Sequence, residues 1–427
     1  MNTATAAMPH DAELQALARE DAFSLPIEEI DVSKPRLFQE DTVGHYLERL
    51  RRDDPVHLAH SKRYGPYWSI TRYQDILAVD TDHAAFSSDA FLGGISLAER
   101  PAPEVFPSFI SMDPPKHDAQ RKTVSPIVAP AHLALLEGTI RERAARILDG
   151  LPIGDEFDWV QRVSIELTTQ MLATLFDFPF EDRHLLTWWS DMATGDPDGN
   201  GPVKSWDMRL AELGKCQDYF TRLWNQRVNA PPGNDLISML AHSPATRHMG
   251  PQEYLGNLIL LIVGGNDTTR NSISGGLLAL NRFPAEYDKL RANPSLVESL
   301  VPEIIRWQTP LAHMRRTATR DTPLGGKLIR KGDKVVMWYL SGNRDGEAIE
   351  QADRFVIDRA RPRQHMAFGF GIHRCVGNRL AELQLKVLWQ EILKRFPRIE
   401  VVGEPTRTRS NFVHGFTAMT ALIPERC

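Results

Sequence analysis

The sequence predicts a mainly α-helical protein with a small β region. Segments with helical periodicity are long and numerous, strand-like segments are short and few, and no internal repeat interrupts them. Of the 427 residues, 42% are hydrophobic and 25% are charged, which is typical of a globular chain with a substantial core. We expect a poorly ordered tail at residues 1–23 and a single domain over residues 24–427.

The predicted elements follow from apolar spacing along the chain. Apolar residues recur at helical intervals in seven segments: 131–150, 160–176, 181–194, 205–228, 251–283, 296–308 and 378–396. Three short segments rich in β-branched and aromatic residues, 65–72, 335–340 and 418–423, are predicted strands. The helices therefore form the body of the domain.

Charge and cysteine content exclude several classes of protein. The net charge is −5 and basic residues are spread along the chain, so nothing favours a nucleic-acid partner. Three distant cysteines predict a reducing compartment without disulfides. The N-terminal stretch carries acidic residues and lacks an apolar core, and the apolar run 258–263 is far shorter than a membrane span. We expect a cytoplasmic monomer without an integral membrane anchor.

The segment FGFGIHRCVGNRLAELQL, residues 368–385, places a cysteine before a predicted helix. Helix N-terminal amides favour a thiolate at Cys375. The thiol is an inert core residue, a nucleophile with His373 as its base, or a metal ligand. No second Cys or His stands at zinc spacing, so the metal that fits is one whose other positions a macrocycle fills, which is haem iron.

The same loop resembles a known family. Phe368, Gly371, Cys375 and Gly377 match F-x-x-G-x-x-x-C-x-G, the haem-thiolate loop of the cytochrome P450 superfamily. The resemblance implies the P450 fold, with haem b between the long central helix and the cysteine loop. It also implies that Cys375 is the axial iron ligand and that Phe368, Gly369 and Gly377 contact the porphyrin.

The segment LLIVGGNDTTRNSISGG, residues 260–276, carries two glycines within a predicted helix. Each costs about 1 kcal/mol relative to alanine, so Gly264 and Gly265 mark either a helix–helix crossing or the close approach of another large body. Asp267-Thr268 resembles the acid–alcohol pair of oxygen-activating P450s. The resemblance implies that Thr268 donates a hydrogen bond at the oxygen site and that Asp267 relays protons from solvent.

Two further sets of residues follow from the resemblance. His117, Arg121, Arg316 and His373 stand where the family binds the haem propionates, and Arg315 competes with Arg316 for this role. The E-x-x-R pair and a nearby arginine are implied to form a buried structural network, although Ala352 replaces the usual proline before that arginine. The members of this network are Glu303, Arg306 and Arg354.

The implied activity is insertion of one oxygen atom of O2 into an unactivated C–H bond. The run NDTTRN, together with TPLAHMRRTATRD, resembles the bacterial P450 group that hydroxylates the terminal carbon of medium-chain alkanes and fatty acids. The predicted substrate contacts are mostly apolar. They are Phe91, Leu92, Ile95, Val263, Gly264, Leu311, His313, Phe412 and Val413.

The electron source is expected to be a separate protein. The sequence contains no flavin domain and no ferredoxin-like cysteine cluster, so we expect NAD(P)H to act through ferredoxin reductase and ferredoxin. A basic cluster near Cys375 is either the docking site or a solvated surface; it comprises Arg361, Arg363, Arg374, Arg379 and Lys386. The alternatives are a hydroxylase of a terpene or other hydrophobic biosynthetic substrate, a peroxide-driven peroxygenase, and a haem sensor.

Overall fold

The computed structural model describes residues 12–99 and 104–427, and helices dominate it as predicted. The helices are α1 (Ala12–Ser24), α2 (Pro35–Gln39), α3 (Val43–Asp53), α4 (Tyr73–Thr81), α5 (Lys116–Val124), α6 (Pro130–Asp149), α7 (Glu166–Phe176), α8 (His184–Thr194), α9 (Trp206–Arg227), α10 (Leu236–His242), α11 (Pro251–Arg282), α12 (Pro284–Ala292), α13 (Val297–Gln308), α14 (Tyr339–Gly342) and α15 (Asn378–Arg395). The strands are β1 (Val56–Ser61), β2 (Gly65–Ile70), β3 (Phe86–Ser87), β4 (Glu156–Asp158), β5 (Met314–Ala318), β6 (Thr322–Leu324), β7 (Lys327–Ile329), β8 (Lys334–Met337), β9 (Glu400–Val401), β10 (Thr406–Arg407), β11 (Phe416–Ala418) and β12 (Thr420–Leu422).

The largest sheet has the strand order β1-β2-β8-β5-β3. Strands β2 and β8 are parallel, and β5 runs antiparallel to β8, with Arg315 opposite Val336 and Arg316 opposite Val335. The described chain also contains a three-stranded sheet, β4-β12-β9, and two two-stranded sheets, β10-β11 and β6-β7. The prediction of a mainly helical fold with a small β region is confirmed.

The 32-residue helix α11 passes through the helical core and packs against α7, α8, α13 and α15. Two of its glycines allow close crossings. A Cβ at Gly265 would lie 2.6 Å from Leu172 of α7, and one at Gly276 would lie 2.7 Å from Ile304 of α13. Small residues in α11 therefore permit tight packing on two sides.

The predicted tail at residues 1–23 is wrong for residues 12–23, which form most of α1. This helix packs against α3, where Arg19 pairs with Glu48 at 2.8 Å and the Tyr46 hydroxyl donates to Asp21 at 2.6 Å. Because α1 is held by polar contacts, its sequence lacks the apolar periodicity by which a packed helix is predicted. The first eleven residues lie outside the described chain.

One bent pair of the described helical segments has the length and apolar composition of a membrane span. No single helix is both long and apolar enough to cross a bilayer. The bent pair of segments Lys116–Val128 and Pro130–Asp149, which meet at 47°, satisfies the length and composition criteria together.

Candidate active site

A cavity of about 900 Å³ lies between α11 and the loop that carries Cys375. Side chains from the loop before α5, from the end of α8 and from β5 complete its walls. Gly264 is open on the cavity side, because a Cβ there would meet no atom within 4 Å. The two glycines of α11 thus satisfy both sequence interpretations, since Gly264 leaves space in the cavity and Gly265 supports a helix crossing.

The cysteine loop is folded tightly around its own backbone. The Cys375 amide donates to the Phe368 carbonyl at 2.8 Å. Gly371 has φ +62°, and a Cβ there would lie 2.4 Å from the Asp80 carbonyl oxygen, so glycine is required on both counts. The loop delivers Cys375 to the cavity wall just before α15 begins at Asn378.

The Cys375 thiol faces the open space of the cavity although protein surrounds it. Burial raises the pKa of this thiol, while the Gly377 amide and the guanidinium groups of Arg121 and Arg374 oppose that shift. The surroundings therefore contain donors and cations that stabilise a thiolate. A coordinated metal cation would deprotonate the thiol outright.

A buried carboxylate that the sequence analysis missed organises the same loop. Asp80 of α4 accepts hydrogen bonds from Arg316 Nη2 at 2.8 Å, the Tyr339 hydroxyl at 2.8 Å and the Phe370 amide at 2.7 Å. It ties β5, α14 and the cysteine loop together, which is why a Cβ at Gly369 would be crowded at 3.2 Å from Asp80 Oδ2. No local pattern singles out Asp80, because its partners are distant in sequence.

Thr268 lies on the cavity face of α11, where its hydroxyl donates to the Gly264 carbonyl at 2.9 Å. Such a bond to the preceding turn holds the hydroxyl against the helix and keeps its oxygen beside the cavity. Asn266 points the other way and accepts from Thr168 of α7 at 2.9 Å. The predicted position of Thr268 beside the cavity thus follows from α11 geometry.

Asp267 is fully buried in a network between α11 and α8. Its carboxylate accepts from Ser190 at 3.0 Å and Thr194 at 3.1 Å, and Arg270 Nη2 lies 2.9 Å from Oδ1. Arg270 also pairs with Asp191 at 2.7 Å. Burial raises the pKa of Asp267, and the charge of Arg270 opposes that shift. Asp267 is therefore one member of a charge network that spans two helices.

The buried E-x-x-R network forms, but with a different third member. Arg306 donates to Glu303 at 2.7 and 2.8 Å, and both residues have no exposed surface. The predicted side chain of Arg354 is exposed and only its carbonyl takes part, as an acceptor for Arg306 at 2.7 Å. Arg359 takes the predicted place, with Nε 2.9 Å from Glu303. The prediction that the Arg354 side chain joins this network is wrong. That side chain is exposed, and the side chain of Arg359, five residues later, reaches the Glu303 carboxylate instead.

Comparison with known proteins identifies the family. The cytochrome P450 family model matches residues 225–418. The chain is 36% identical over 412 residues to linalool 8-monooxygenase of Pseudomonas putida, an alignment that covers 93% of this chain and all of that protein. The chain is a cytochrome P450.

Two further comparisons extend the assignment. This P450 is 32% identical over 366 residues to a methyl-branched lipid omega-hydroxylase of Mycobacterium tuberculosis, with 83% of each chain covered. Among solved structures, cytochrome P450-153 from Novosphingobium aromaticivorans matches with a TM-score of 0.86 at 45% identity, covering 92% of this chain and 99% of that one. Membership of the cytochrome P450 family makes the protein an oxidoreductase that uses haem and O2. The predictions of a monooxygenase and of haem and O2 use are confirmed at the level of the family.

The P450 site fits a haem at its anionic edge. Nε2 of His117 and Nδ1 of His373 are buried and have no hydrogen-bond partner within the described chain, and the two rings lie 4.5 Å apart. Arg121 and Arg316 both line the cavity. Two imidazole nitrogens without partners and two guanidinium groups can bind buried carboxylates such as the haem propionates.

The cavity has space for a porphyrin beside Gly377, and His373 at the same edge is a neutral hydrogen-bond donor. Gly377, like Gly264, has no atom within 4 Å of the position a Cβ would take. Burial lowers the pKa of His373 to about 2, with Arg316 and His117 adding to the shift, so its ring is neutral. Ser88 Oγ lies 2.9 Å from Nε2 of His373, which leaves Nδ1 for a ligand. The structure thus places His117, Arg121, Arg316 and His373 around one edge of the cavity, and their role in binding haem propionates stays a prediction.

Most of the predicted substrate contacts line the P450 cavity. They are Phe91, Leu92, Ile95, Val263, Gly264, Leu311 and Phe412. Phe91 and Leu92 are also exposed, which places them at its entrance.

Two predicted contacts are wrong. His313 is buried between Trp338 and Phe412, with ring centroids 4.9 and 5.3 Å away, and Nδ1 lies 2.9 Å from the Asn411 carbonyl. Burial lowers its pKa to about 4. Val413 is buried beside Leu311 rather than in the cavity wall. Val413 follows Phe412, which lines the cavity, so the alternation of side chains along an extended segment turns Val413 away from it.

Proposed function

We propose that this P450 hydroxylates the terminal carbon of medium-chain alkanes or fatty acids. The observation that carries the proposal is the apolar wall beside Gly264 and Thr268. Val263, Leu311 and Phe412 form that wall, and such a surface suits a hydrocarbon chain that ends near the Cys375 side of the cavity. The omega-hydroxylase relative and the NDTTRN run support the same class of substrate.

Cys375 would hold haem b by its thiolate, and His117, Arg121, Arg316 and His373 would hold the propionates. Bound haem supplies oxygen activation, which a thiolate ligand promotes by donating electron density to iron. Apolar side chains exclude water from the substrate chamber and orient the methyl end.

Asp267 and Thr268 would deliver protons to the oxygen site. The Asp267 carboxylate would relay protons that originate in solvent, and the hydroxyls of Ser190 and Thr194, which donate hydrogen bonds to it at 3.0 and 3.1 Å, would orient it on the α8 side. Thr268 presents its hydroxyl oxygen on the cavity face of α11. General acid chemistry at such positions contributes about 10²–10⁴ to rate.

A second candidate is terpene oxidation, which the 36% identity to linalool 8-monooxygenase favours. The deciding experiment supplies the haem-loaded enzyme with NADH, ferredoxin and ferredoxin reductase. Its substrates are n-octane, dodecanoic acid and linalool. We expect 1-octanol and the ω-hydroxy acid as main products. Turnover of linalool alone would overturn the proposal in favour of the terpene.

Oxygen and hydrogen peroxide serve as alternative oxidants in the same assay. The acid–alcohol pair at Asp267 and Thr268 supports the use of O2, because O2 activation requires protons from the protein. Hydrogen peroxide already carries its protons and does not require such a relay. We expect product with O2 and the redox proteins, and far less with peroxide alone. The reverse result would establish a peroxygenase.

Ferredoxin is proposed to dock on the face outside Cys375. A depression of about 330 Å³ on this face is lined by residues that include Arg121, Arg374 and Arg379. Arg374 and Arg379 are exposed, and acidic partners are steered by such cations. Two members of the predicted basic cluster are already paired: Arg363 with Glu382 at 3.2 Å and Lys386 with Glu298 at 2.5 Å.

A further inference from the structure

The loop Phe91–Ile95, which lines the entrance side of the cavity, is fastened to strand β5. The Leu92 carbonyl accepts from Thr317 Oγ1 at 2.7 Å and from Arg315 Nη2 at 3.3 Å. The Ile95 carbonyl accepts from the Arg315 amide at 2.8 Å. Backbone and side chains of two β5 residues thus fix two carbonyls of one loop.

The guanidinium of Arg315 lies beneath this loop and is almost wholly buried. Its Nη2 also lies 3.3 Å from Glu99 Oε1, and Lys334 Nζ lies 3.0 Å from the same oxygen. Nε and Nη1 of Arg315 are buried without a hydrogen-bond partner among the described residues. Burial of a cation with unsatisfied donors is unfavourable for stability, and its hydrogen bonds to the loop and to Glu99 offset part of that cost.

The loop backbone is shaped to fit this cation. Gly93 has φ +112°, and a Cβ on it would lie 2.1 Å from Arg315 Nη2. No side chain at position 93 is compatible with the observed packing. The loop and the guanidinium therefore form one tightly matched contact.

The adjacent arginine of β5 serves the opposite side of the strand. Arg316 lines the cavity and pairs with Asp80, whereas Arg315 points to the loop and is absent from the described cavity wall. The competition between these residues for the propionate role is thus decided by strand alternation. Arg315 is left without a function in binding haem.

We propose that Arg315 is a specificity-determining positioning residue that clamps the substrate loop Phe91–Ile95 to β5. It acts through Leu92 and Ile95, which form part of the cavity wall, and so sets how closely that wall confines the substrate chain. The proposal rests on the proposed terminal hydroxylation for its product readout. A second readout, hydrogen exchange in the loop, is independent of the substrate.

The test compares the holoenzyme with Arg315→Gln and Arg315→Lys. Loss of a charge-assisted hydrogen bond to a loop carbonyl corresponds to roughly a tenfold effect. We expect the ratio of ω- to (ω−1)-hydroxylation of dodecanoic acid to fall roughly tenfold in Arg315→Gln, and less in Arg315→Lys. Amide exchange in residues 89–99 should rise in the same order, with the haem spectrum unchanged.

Arg320→Gln is the matched control, since Arg320 is exposed and its Nη2 lies 3.5 Å from Asp82. Unchanged product ratio together with unchanged loop exchange in Arg315→Gln would overturn the clamp. If the wild type oxidises no chain of this class, the proposed function fails while loop exchange still decides the clamp. If Arg315→Gln loses haem, Arg315→Lys takes its place, and unchanged loop exchange together with an unchanged product ratio in that variant rejects the clamp.

Discussion

Arg270 Nη2 lies 2.9 Å from Oδ1 of Asp267 on α11 and 2.7 Å from Oδ1 of Asp191 on α8. One guanidinium therefore bridges Asp267 to the helix that forms part of the cavity wall. Any displacement of α8 would change the partners of Asp267, because Ser190 and Thr194 also bond to it. The position of α8 and the proton affinity of Asp267 are thus coupled by direct contacts.

Replacing Arg270 should shift the pH dependence of turnover. Burial raises the pKa of Asp267 and the charge of Arg270 opposes this shift, so Arg270→Gln raises the pKa further. The ionised carboxylate is then lost at a higher pH as the solution is acidified. We expect the acid limb of the kcat–pH profile to move to higher pH, measured with saturating substrate.

The control for this prediction is Arg247→Gln, at an exposed arginine that precedes α11. Its profile should match the wild type. An acid limb that stays in place in Arg270→Gln would show that Asp267 does not control the measured proton step.

Thr268→Val should uncouple electron consumption from product formation. Valine keeps the shape of threonine but removes the hydroxyl that lies on the cavity face. We expect product per NADH to fall roughly tenfold, with a matching rise in hydrogen peroxide, since a positioned proton donor is lost. The control, Thr221→Val, removes a comparable hydroxyl bond to the preceding turn on α9, 2.7 Å from the Gln217 carbonyl. Equal coupling in both variants would contradict the role of Thr268.

The free energy of unfolding should show whether Arg359 or Arg354 is the third member of the network around Glu303 and Arg306. Arg359→Leu removes a guanidinium 2.9 Å from the fully buried Glu303, and breaking such a pair costs about 3–5 kcal/mol. Arg354→Ala keeps the carbonyl that binds Arg306 and should change the free energy of unfolding by less than about 0.5 kcal/mol. Denaturant unfolding of the holoenzyme measures both. A larger loss in Arg354→Ala would restore the sequence-based interpretation.

These examples show how far the sequence predicts the site. Cys375 and Thr268 lie in short motifs whose local geometry is fixed by glycines and by a helix, so their placement follows from neighbouring residues. Arg359 and Asp80 depend on how distant segments meet, and no local pattern reports that. The prediction that His313 contacts substrate was wrong, because the side to which a residue of an extended segment points depends on the register of that segment with other strands.

Helix α1 shows the same limit at the level of the fold. Its contacts with α3 are polar pairs, such as Gln15 with His45 at 2.9 Å, rather than a continuous apolar stripe. Hydrophobic periodicity therefore did not distinguish it from a tail. The long helix α11, by contrast, is amphipathic enough and long enough to be predicted from its spacing alone.

Arg209 should distinguish fatty acids from alkanes. It is a buried cation of α9 that lines the cavity near the end of α8, where its Nη2 donates to the Ala193 carbonyl at 3.1 Å. A carboxylate at that end of the cavity would gain a charge-assisted bond worth about 1.5–3 kcal/mol. We expect Arg209→Gln to raise the Kd for dodecanoic acid roughly 10- to 150-fold while leaving that for n-octane unchanged.

Arg209→Lys serves as the matched variant, because it keeps the charge with a shorter reach of donors. Its Kd for dodecanoic acid should fall between the wild type and Arg209→Gln. Equal weakening of both substrates would mean that Arg209 shapes the cavity rather than binding the carboxylate.

Charge reversal should test the proposed ferredoxin-docking face by comparing an exposed arginine with one that forms an ion pair. Arg379 is exposed and lines the depression outside Cys375, whereas Arg363 already pairs with Glu382 at 3.2 Å. We expect Arg379→Glu to lower ferredoxin-supported kcat/KM roughly tenfold and to weaken its dependence on salt, because steering by cations is screened by ions. Arg363→Glu should have a smaller effect, and both variants should bind substrate as the wild type does. Equal losses, or unchanged salt dependence in Arg379→Glu, would place the electron donor elsewhere on the surface.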